Sequence, residues 1–336
     1  MKLRIGAVGC GGQASRNIHP ALSMIPEIDF VAVCDLDEER ARHNARQFGA
    51  NQWFSSAKEM FEKAQLDATV IVGPPPMHTE VGLEAASAGL HVFTEKPVGI
   101  TPEAALCLVE TIDSAGVYGQ VGHMSRHADA VRIAYATVQQ SLFGDVTFVE
   151  SKYYTPGPYE AISDIPTPFR TFNLYQTTHA LDLARSFGGD VVSLHALRAD
   201  AVGNAVALAI SLEFSNGAVG WVNVNSCVPS MECRLEVTGS GRALVAIDNL
   251  TDLRYEAPEA WHDGPTGYQA IAASTWRPTP LTTSQSRTGY GNQLEHFASS
   301  ILAGKKPSPS IRDGYEAVRL CFSIEDSLAL GHPVNL

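Results

Sequence analysis

The feature that most narrows the fold is a short apolar run ending in a glycine turn: Leu3 to Val8, then Gly9-Cys10-Gly11-Gly12-Gln13-Ala14. An apolar run stopped by glycine reads as a buried strand. The turn has the G-x-G-x-x-A spacing, and its positions have separate physical tasks. Gly9 permits the tight turn, Gly11 lets the backbone approach a pyrophosphate, and small Ala14 lets helix and strand pack closely. The helix that opens here presents its N–H groups to the phosphates, with Gly12 and Gln13 in the same candidate cradle.

A second apolar run, Ile28 to Cys34, ends at Asp35. That is about 20 residues beyond the turn, where a dinucleotide fold puts the acid that accepts hydrogen bonds from the adenosine ribose. An acid there repels a 2′-phosphate, and Leu36-Asp37 brings no arginine to attract one. The expected cofactor is therefore NAD, with NADP less favoured. Asp35 and Asp37 also admit a reading as helix caps. Asp37 suits that role better, with Glu38 and Glu39 in the first turn of a helix running to Phe48.

The alternation continues through the first third of the chain. Ser56-x-x-Glu59 reads as a capping box, Ala68 to Val72 as a strand, Glu80 to Ala88 as a helix closed by Gly89, and His91 to Thr94 as a strand. Thr101-Pro102 supplies an N-cap and first helical residue, Gly116 ends that helix, and Val117 to Val121 is a further strand. Repeated strand–helix units imply a Rossmann-type, doubly wound parallel sheet, whose ligands bind beyond the carboxyl ends of the strands. Two unusual segments fall at those ends: Gly73-Pro74-Pro75-Pro76-Met77-His78 and Glu95-Lys96-Pro97.

The remainder reads differently. Ala205 to Phe214 and Ala218 to Asn225 flank Asn216-Gly217, a two-residue hairpin signal, and Arg234 to Thr238 and Ala243 to Ile247 flank Gly239-Ser240-Gly241. The expected organisation is a dinucleotide-binding domain over residues 1–122 and a second α/β domain over 123–336, whose last helix, Arg312 to Ala329, packs on a core and admits packing back on the first domain. A chain of 336 residues, 45% hydrophobic and 18% charged, can bury two such cores. The net charge of −12 speaks against nucleic-acid and anionic-membrane partners. No apolar run is long enough to span a bilayer, and no secretory leader pattern is read at the start. The six cysteines are scattered, with no spacing for a metal, and read as reduced residues of a cytoplasmic protein.

Several of these segments together resemble the glucose–fructose oxidoreductase/inositol dehydrogenase/MocA family. They are Arg4 to Gly12, Pro74 to His78, His91-Val-Phe-Thr-Glu-Lys-Pro, Val121 to Arg126, His179-Ala-Leu-Asp182, and Pro309-Ser-Ile-Arg-Asp-Gly-Tyr-Glu-Ala. The resemblance covers nearly the whole chain, and its most specific element is Glu95-Lys96-Pro97. It implies an N-terminal Rossmann domain and a C-terminal domain built on a large, open, mainly antiparallel sheet. It implies a nicotinamide-dependent oxidoreductase acting on a sugar, sugar derivative or cyclitol, and a homodimer or homotetramer that uses the open face of the sheet. Pro74, Pro75, His78, Glu95 and Lys96 then join the cofactor site, with His78 capping the helix after the proline run.

Hydride transfer needs a group that manages the hydroxyl proton, and by resemblance Lys96 is that group or its partner. Desolvation and an oxidised nicotinamide would both favour neutral lysine. A surface lysine paired with Glu95 is the competing reading. On a helix expected from Asn173 to Phe187, Tyr175, His179 and Asp182 share one face, with Gln176 beside it. His179 matches the family's active-site histidine. A core histidine bonded to Asp182 is the other reading, and Asp182 could also set its tautomer.

The chain departs from the family at Tyr175, where sugar and inositol dehydrogenases usually carry an acid. Tyrosine can donate a hydrogen bond or a proton, which puts the lysine–aspartate–histidine mechanism in question. Arg126, Arg170, His179 and Tyr154 are the candidate substrate contacts, with His123, His127 and Tyr153 nearby. The Pro/Thr/Ser-rich stretch from Trp261 to Tyr290 reads as a lid or as an arm toward a neighbouring subunit. A redox-assisted glycosidase and a non-catalytic dinucleotide-binding sensor are the competing functions.

Overall fold

The computed structural model describes residues 2–157, 159–162, 164–199, 203–258, 261–263, 269–271, 273–279 and 288–336. Nearly half of the stretch expected to form a lid or arm, residues 264–268, 272 and 280–287, lies outside the described residues. The chain divides into two compact units, Met1–Met124 with Gly289–Arg319, and Ser125–Thr288 with Leu320–Leu336. This differs from a single cut at residue 122, because the segment after 288 returns to the first unit. Burial explains the return: Leu294, Phe297 and Ala298 join Ile5, Ala7, Ala14, Ile18, Val70 and Phe93 in one apolar core.

The first unit holds six strands: β1 (Leu3–Val8), β2 (Ile28–Cys34), β3 (Gln52–Phe54), β4 (Ala68–Ile71), β5 (His91–Thr94) and β6 (Gly119–Val121). All neighbours are parallel, in the order β3-β2-β1-β4-β5-β6. The crossovers carry α1 (His19–Met24), α2 (Glu38–Phe48), α3 (Ala57–Lys63), α4 (Pro75–Ser87) and α5 (Pro102–Ala115). The helix starts follow local chemistry: Asp37, Ser56 and Thr101 accept from the backbone N–H groups of Arg40, Glu59 and Ala104. One start differs from expectation. α4 begins at Pro75, not Glu80, because prolines at the first helical positions give up no hydrogen bond there.

The second unit contains α6 (Asp129–Val138), β7 (Val146–Tyr154), α7 (Pro168–Phe172), α8 (Thr178–Gly188), β8 (Val191–Arg198), β9 (Ala207–Phe214), β10 (Val219–Asn225), β11 (Glu232–Gly239), β12 (Leu244–Asp248) and β13 (Asp252–Glu256). The short strands β14 (Trp261–Asp263), β15 (Gln269–Ile271), β16 (Ser274–Trp276) and β17 (Val334–Asn335) complete it. Nine strands form one sheet, β16-β13-β12-β11-β7-β10-β9-β8-β17, antiparallel except for the β7–β10 pair. Buried and open positions alternate along β10 and β11, as in a sheet with one covered face. The β9–β10 connection is not the expected two-residue turn. Only Gly217 has positive φ, and Phe214 N–H bonds to Ala218 C=O around a three-residue loop. Helices α9 (Tyr290–Leu302) and α10 (Ile311–Leu330) close the chain. Among the described residues no helix is long and apolar enough to cross a membrane.

Candidate active site

At the carboxyl edge of the six-stranded sheet, the ends of β1, β2 and β5 carry the candidate residues. After β1, Gly9 sits at φ +97°, and a Cβ there would lie 1.9 Å from the Val72 carbonyl oxygen. Only glycine fits. A Cβ on Gly11 would meet nothing of the protein within 4 Å, so the open side of the turn remains accessible to a ligand. Gly12 lies under Arg16, which donates to its carbonyl at 3.1 Å. Gln13 precedes a π-helical turn, Ala14–Ile18, that leads into α1, and Ala14 is fully buried against β1. Wide helical turns of this type recur at functional sites.

Asp35, after β2, is oriented by the chain itself. Its Oδ2 accepts from Cys10 N–H at 2.8 Å and its Oδ1 from Asp37 N–H at 3.0 Å. The acid is thereby tied to the glycine turn. An arginine does stand beside it: Arg40 lies 3.8 Å from Asp35 and 3.4 Å from Asp37. The sequence reading, which looked only at Leu36-Asp37, missed it because one helical turn brings residue 40 back over residue 37.

The third strand end carries Glu95-Lys96-Pro97. Glu95 N–H bonds to Ile71 C=O and Gly122 N–H to Thr94 C=O, which places the glutamate between β4 and β6. Its carboxyl is buried against Gly122, where a Cβ would lie 2.9 Å from the Glu95 Cδ and Oε1. Oε2 accepts weakly from Lys96 N–H at 3.4 Å, and Oε1 is buried without a hydrogen-bond partner. Burial pushes this carboxyl up to about 7, against the opposing pull of Lys96. Burial likewise lowers the Lys96 ammonium below its usual range, with Glu95 opposing.

Two side chains of α4 hold this segment from below. His78 Nδ1 donates to Pro97 C=O at 2.8 Å while Nε2 accepts from Gly73 N–H at 3.2 Å, and Thr79 Oγ1 donates to Val98 C=O at 2.8 Å. Burial drives the His78 imidazole down to about 4, so it is neutral with its proton on Nδ1. The expected helix cap is therefore a tie between two loops, buried rather than lining an open site. Pro74 is exposed at the edge, whereas Pro75 is turned inward as the first residue of α4. Thr79 and Gly122 were missed by sequence reasoning. The His-Thr pair was visible, but its partners lie on another strand end.

In the second unit, α7 begins at Pro168 behind Thr167, whose hydroxyl accepts from Arg170 N–H, rather than at the expected Asn173. A π-helical turn, Asn173–Thr177, joins α7 to α8 and carries half-buried Tyr175, whose hydroxyl is pushed up by burial. His179, on the first turn of α8, is buried and stacks on Tyr153 of β7, with ring centroids 5.0 Å apart and planes 16° off parallel. Tyr154 differs from expectation. Alternation along β7 puts it on the opposite face from Tyr153, in register with Asn225 and Glu232, with the Lys152 ammonium 4.2 Å from its ring centre.

The candidate arginines are also engaged. Arg126 grips Asp182 with Nε at 2.8 Å and Nη2 at 2.6 Å, so Asp182 is the partner of the arginine on which the substrate reading relied. Arg170 is bound by Glu325 of α10 and lies over the Phe322 ring, which anchors α7. Both guanidiniums are held by geometry that favours bidentate carboxylate pairing. Their first role in this structure is to fix helices.

Taken together, the first unit's glycine turn, ribose-side acid and buried glutamate fit a dinucleotide, and its lysine sits at the same sheet edge. Comparison with known proteins agrees. A family model described as an oxidoreductase family with an NAD-binding Rossmann fold matches residues 3–123, and one described as an oxidoreductase-family C-terminal alpha/beta domain matches residues 138–336. The chain is 24% identical to a scyllo-inositol 2-dehydrogenase (NAD(+)) of Bacillus subtilis, over 100% of this chain and 96% of that protein. It is also 24% identical to a D-xylose 1-dehydrogenase (NADP(+)) of Haloferax volcanii, over 99% and 100%. The crystal structure of a dehydrogenase from Chromobacterium violaceum superposes with a TM-score of 0.91 at 28% identity, covering 98% of this chain and 96% of that one.

Proposed function

This chain belongs to the Gfo/Idh/MocA oxidoreductase family, and from that premise we propose that it moves a hydride between a nicotinamide dinucleotide and a CH–OH carbon of a sugar, sugar derivative or cyclitol. The observation that carries the reading is the placement of Lys96. It follows a parallel strand at the edge that also bears the glycine turn, and burial lowers its proton affinity. When bound, the dinucleotide supplies the hydride acceptor or donor. Gly9, Gly11, Gly12, Gln13 and Ala14 form the phosphate side of its cradle, Asp35 the ribose side, and Glu95 the buried end. Lys96 takes the hydroxyl proton in oxidation and returns it in reduction. His179 and Tyr175 serve as the hydroxyl-binding and proton-handling groups of the second unit.

NAD is the favoured cofactor. Both Asp35 oxygens are fixed by backbone N–H groups, so the carboxylate stays where it opposes a 2′-phosphate, and Arg40 is shared between Asp35 and Asp37. The relatives include users of each dinucleotide, which is why the residue-level argument matters. The proposed assembly is a homodimer or homotetramer through the uncovered face of the nine-stranded sheet. Val219, Trp221 and Leu197 are exposed there and face the same way as Tyr154.

One experiment tests the core of this. A panel of polyols and sugars is offered with NAD and NADP to the wild-type chain and to Lys96→Ala, His179→Ala and Tyr175→Phe, read at the nicotinamide absorbance. Lys96→Ala is expected to lower kcat by about 10²–10⁴, the usual worth of a positioned acid–base group. Undiminished turnover by Lys96→Ala would overturn the assignment, and a strong NADP preference would overturn the role given to Asp35.

A further inference from the structure

The π-helical turn Ala14–Ile18 and the first residue of α1 carry two side chains back toward α2. The Ser15 hydroxyl lies 3.1 Å from Cys10 C=O and 3.0 Å from Asn44 Oδ1, and His19 Nδ1 lies 3.0 Å from the same Asn44 oxygen. Asn44 belongs to α2, is buried, and gives its amide N–H₂ to Arg40 C=O at 2.9 Å. Its oxygen is thereby turned to Ser15 and His19 as an acceptor. Ser15 faces two acceptors and shares its one proton between them, while His19 donates from Nδ1. The reach from Ser15 to Cys10 spans five residues, the spacing that a widened turn favours.

Both backbone groups of Cys10 are consequently pinned. Its N–H is given to Asp35 Oδ2 at 2.8 Å, and its C=O accepts from Ser15. Cys10 C=O and Gly11 N–H belong to one trans, planar peptide unit, so they point in opposite directions. The carbonyl turned to Ser15 therefore aims Gly11 N–H away from Ser15 and Asn44. Among the described residues no protein group accepts that N–H. Gly11 is also the glycine whose Cβ would meet nothing within 4 Å. We propose that Ser15, held by Asn44, is a positioning residue of the dinucleotide site: it sets the Cys10–Gly11 peptide so that Gly11 N–H is presented to a phosphate of the dinucleotide. This role rests on the dinucleotide reading given above. Without the hydroxyl the peptide is free to turn, and its N–H is no longer fixed before the anion arrives. Asn44 is itself anchored on Arg40, whose guanidinium lies 3.8 Å from Asp35, so the phosphate and ribose sides share one support.

The test is dinucleotide affinity, not turnover, at a temperature where every variant is folded. NADH binding is titrated by its fluorescence for the wild type, Ser15→Ala and Ser15→Thr. ADP, which carries the diphosphate without the nicotinamide, is titrated as a competitor. Ser15→Ala is expected to raise Kd for NADH about fivefold, the worth of a single hydrogen bond, and Kd for ADP by the same factor. Ser15→Thr keeps the hydroxyl and is expected to restore both. A serine with a merely structural role would lower the urea midpoint and leave both affinities as they were. Wild-type affinities in Ser15→Ala therefore overturn the proposal, as does a loss for NADH that ADP does not share, or an equal loss in Ser15→Thr. Asn44→Ala releases the hydroxyl, and Ser15→Ala in that background is expected to add less than it does alone. Full additivity removes Asn44 from the assignment. A wild-type chain that takes up neither NADH nor NADPH overturns the cofactor reading itself, and this proposal with it.

Discussion

At Lys96 and Glu95, adjacent in sequence, burial acts in opposite directions on two charges. It raises the carboxyl and lowers the ammonium, and each partner opposes the shift in the other. The tripeptide was legible in the sequence; its desolvation was not, because that depends on Gly122 and α4 closing over it. Arg126 shows the reverse case. As a residue type at the end of a Rossmann strand it invited a substrate role, yet it holds the buried Asp182 carboxylate through two nitrogens. Removing one partner of such a pair leaves a desolvated charge, which costs about 3–5 kcal/mol. Arg126→Met is therefore expected to lower the urea midpoint sharply, and Arg126→Met/Asp182→Asn to recover part of the loss. A single variant as stable as wild type would show that the pair does not bear on folding.

Among the elements, those with local causes were read well. Asp37, Ser56 and Thr101 cap the helices that their spacing implied, and the strands from Leu3, Ile28 and His91 keep their limits. The two π-helical turns, Ala14–Ile18 and Asn173–Thr177, have no marker in local propensity. Each answers to packing around it. The face on which a strand residue lies also escaped a local reading, since Tyr153 and Tyr154 look alike until the sheet's covered side is known. The uncovered side gives an expected outcome at this scale. Trp221→Glu puts a charge in the middle of the face proposed to join copies, and it should convert the oligomer to smaller species in sedimentation velocity. An unchanged sedimentation coefficient would move the interface elsewhere.

For the whole molecule, the buried titratable groups set how stability follows pH. His19 and His78 fall from 6.5 to about 4 through burial, so they are neutral when folded but take up protons when unfolded below 6.5. Their effect is a loss of stability as pH drops from about 6.5 toward 4. Glu95 is raised from 4.5 to about 7, so the folded chain holds a proton that the unfolded chain has released. Its effect is a loss of stability as pH rises from about 4.5 to 7. Between about pH 4.5 and 6.5 two imidazoles outweigh one carboxyl, giving a net rise of about 1 kcal/mol per pH unit. The three groups balance near pH 7, where the unfolded imidazoles and the folded Glu95 carboxyl hold about equal numbers of protons. Urea midpoints measured at half-unit steps should still rise between about pH 5 and 6.5, and a maximum below about pH 5.5 would contradict this balance.

What the residues settled by themselves was local or periodic: the glycine turn, the acid after β2, the helix caps, the strand–helix alternation and the Glu-Lys-Pro segment. These depend on backbone sterics and on spacing within one or two turns, which a chain carries in its order alone. What needed the folded chain was every partnership across long separations. Arg126 with Asp182, Arg170 with Glu325, His78 with Pro97 and Tyr153 with His179 are contacts between segments that propensity cannot pair. Burial is a property of the assembled core, so the shifted proton affinities at Glu95, Lys96 and His78 arise only once distant strands and helices have excluded water from them.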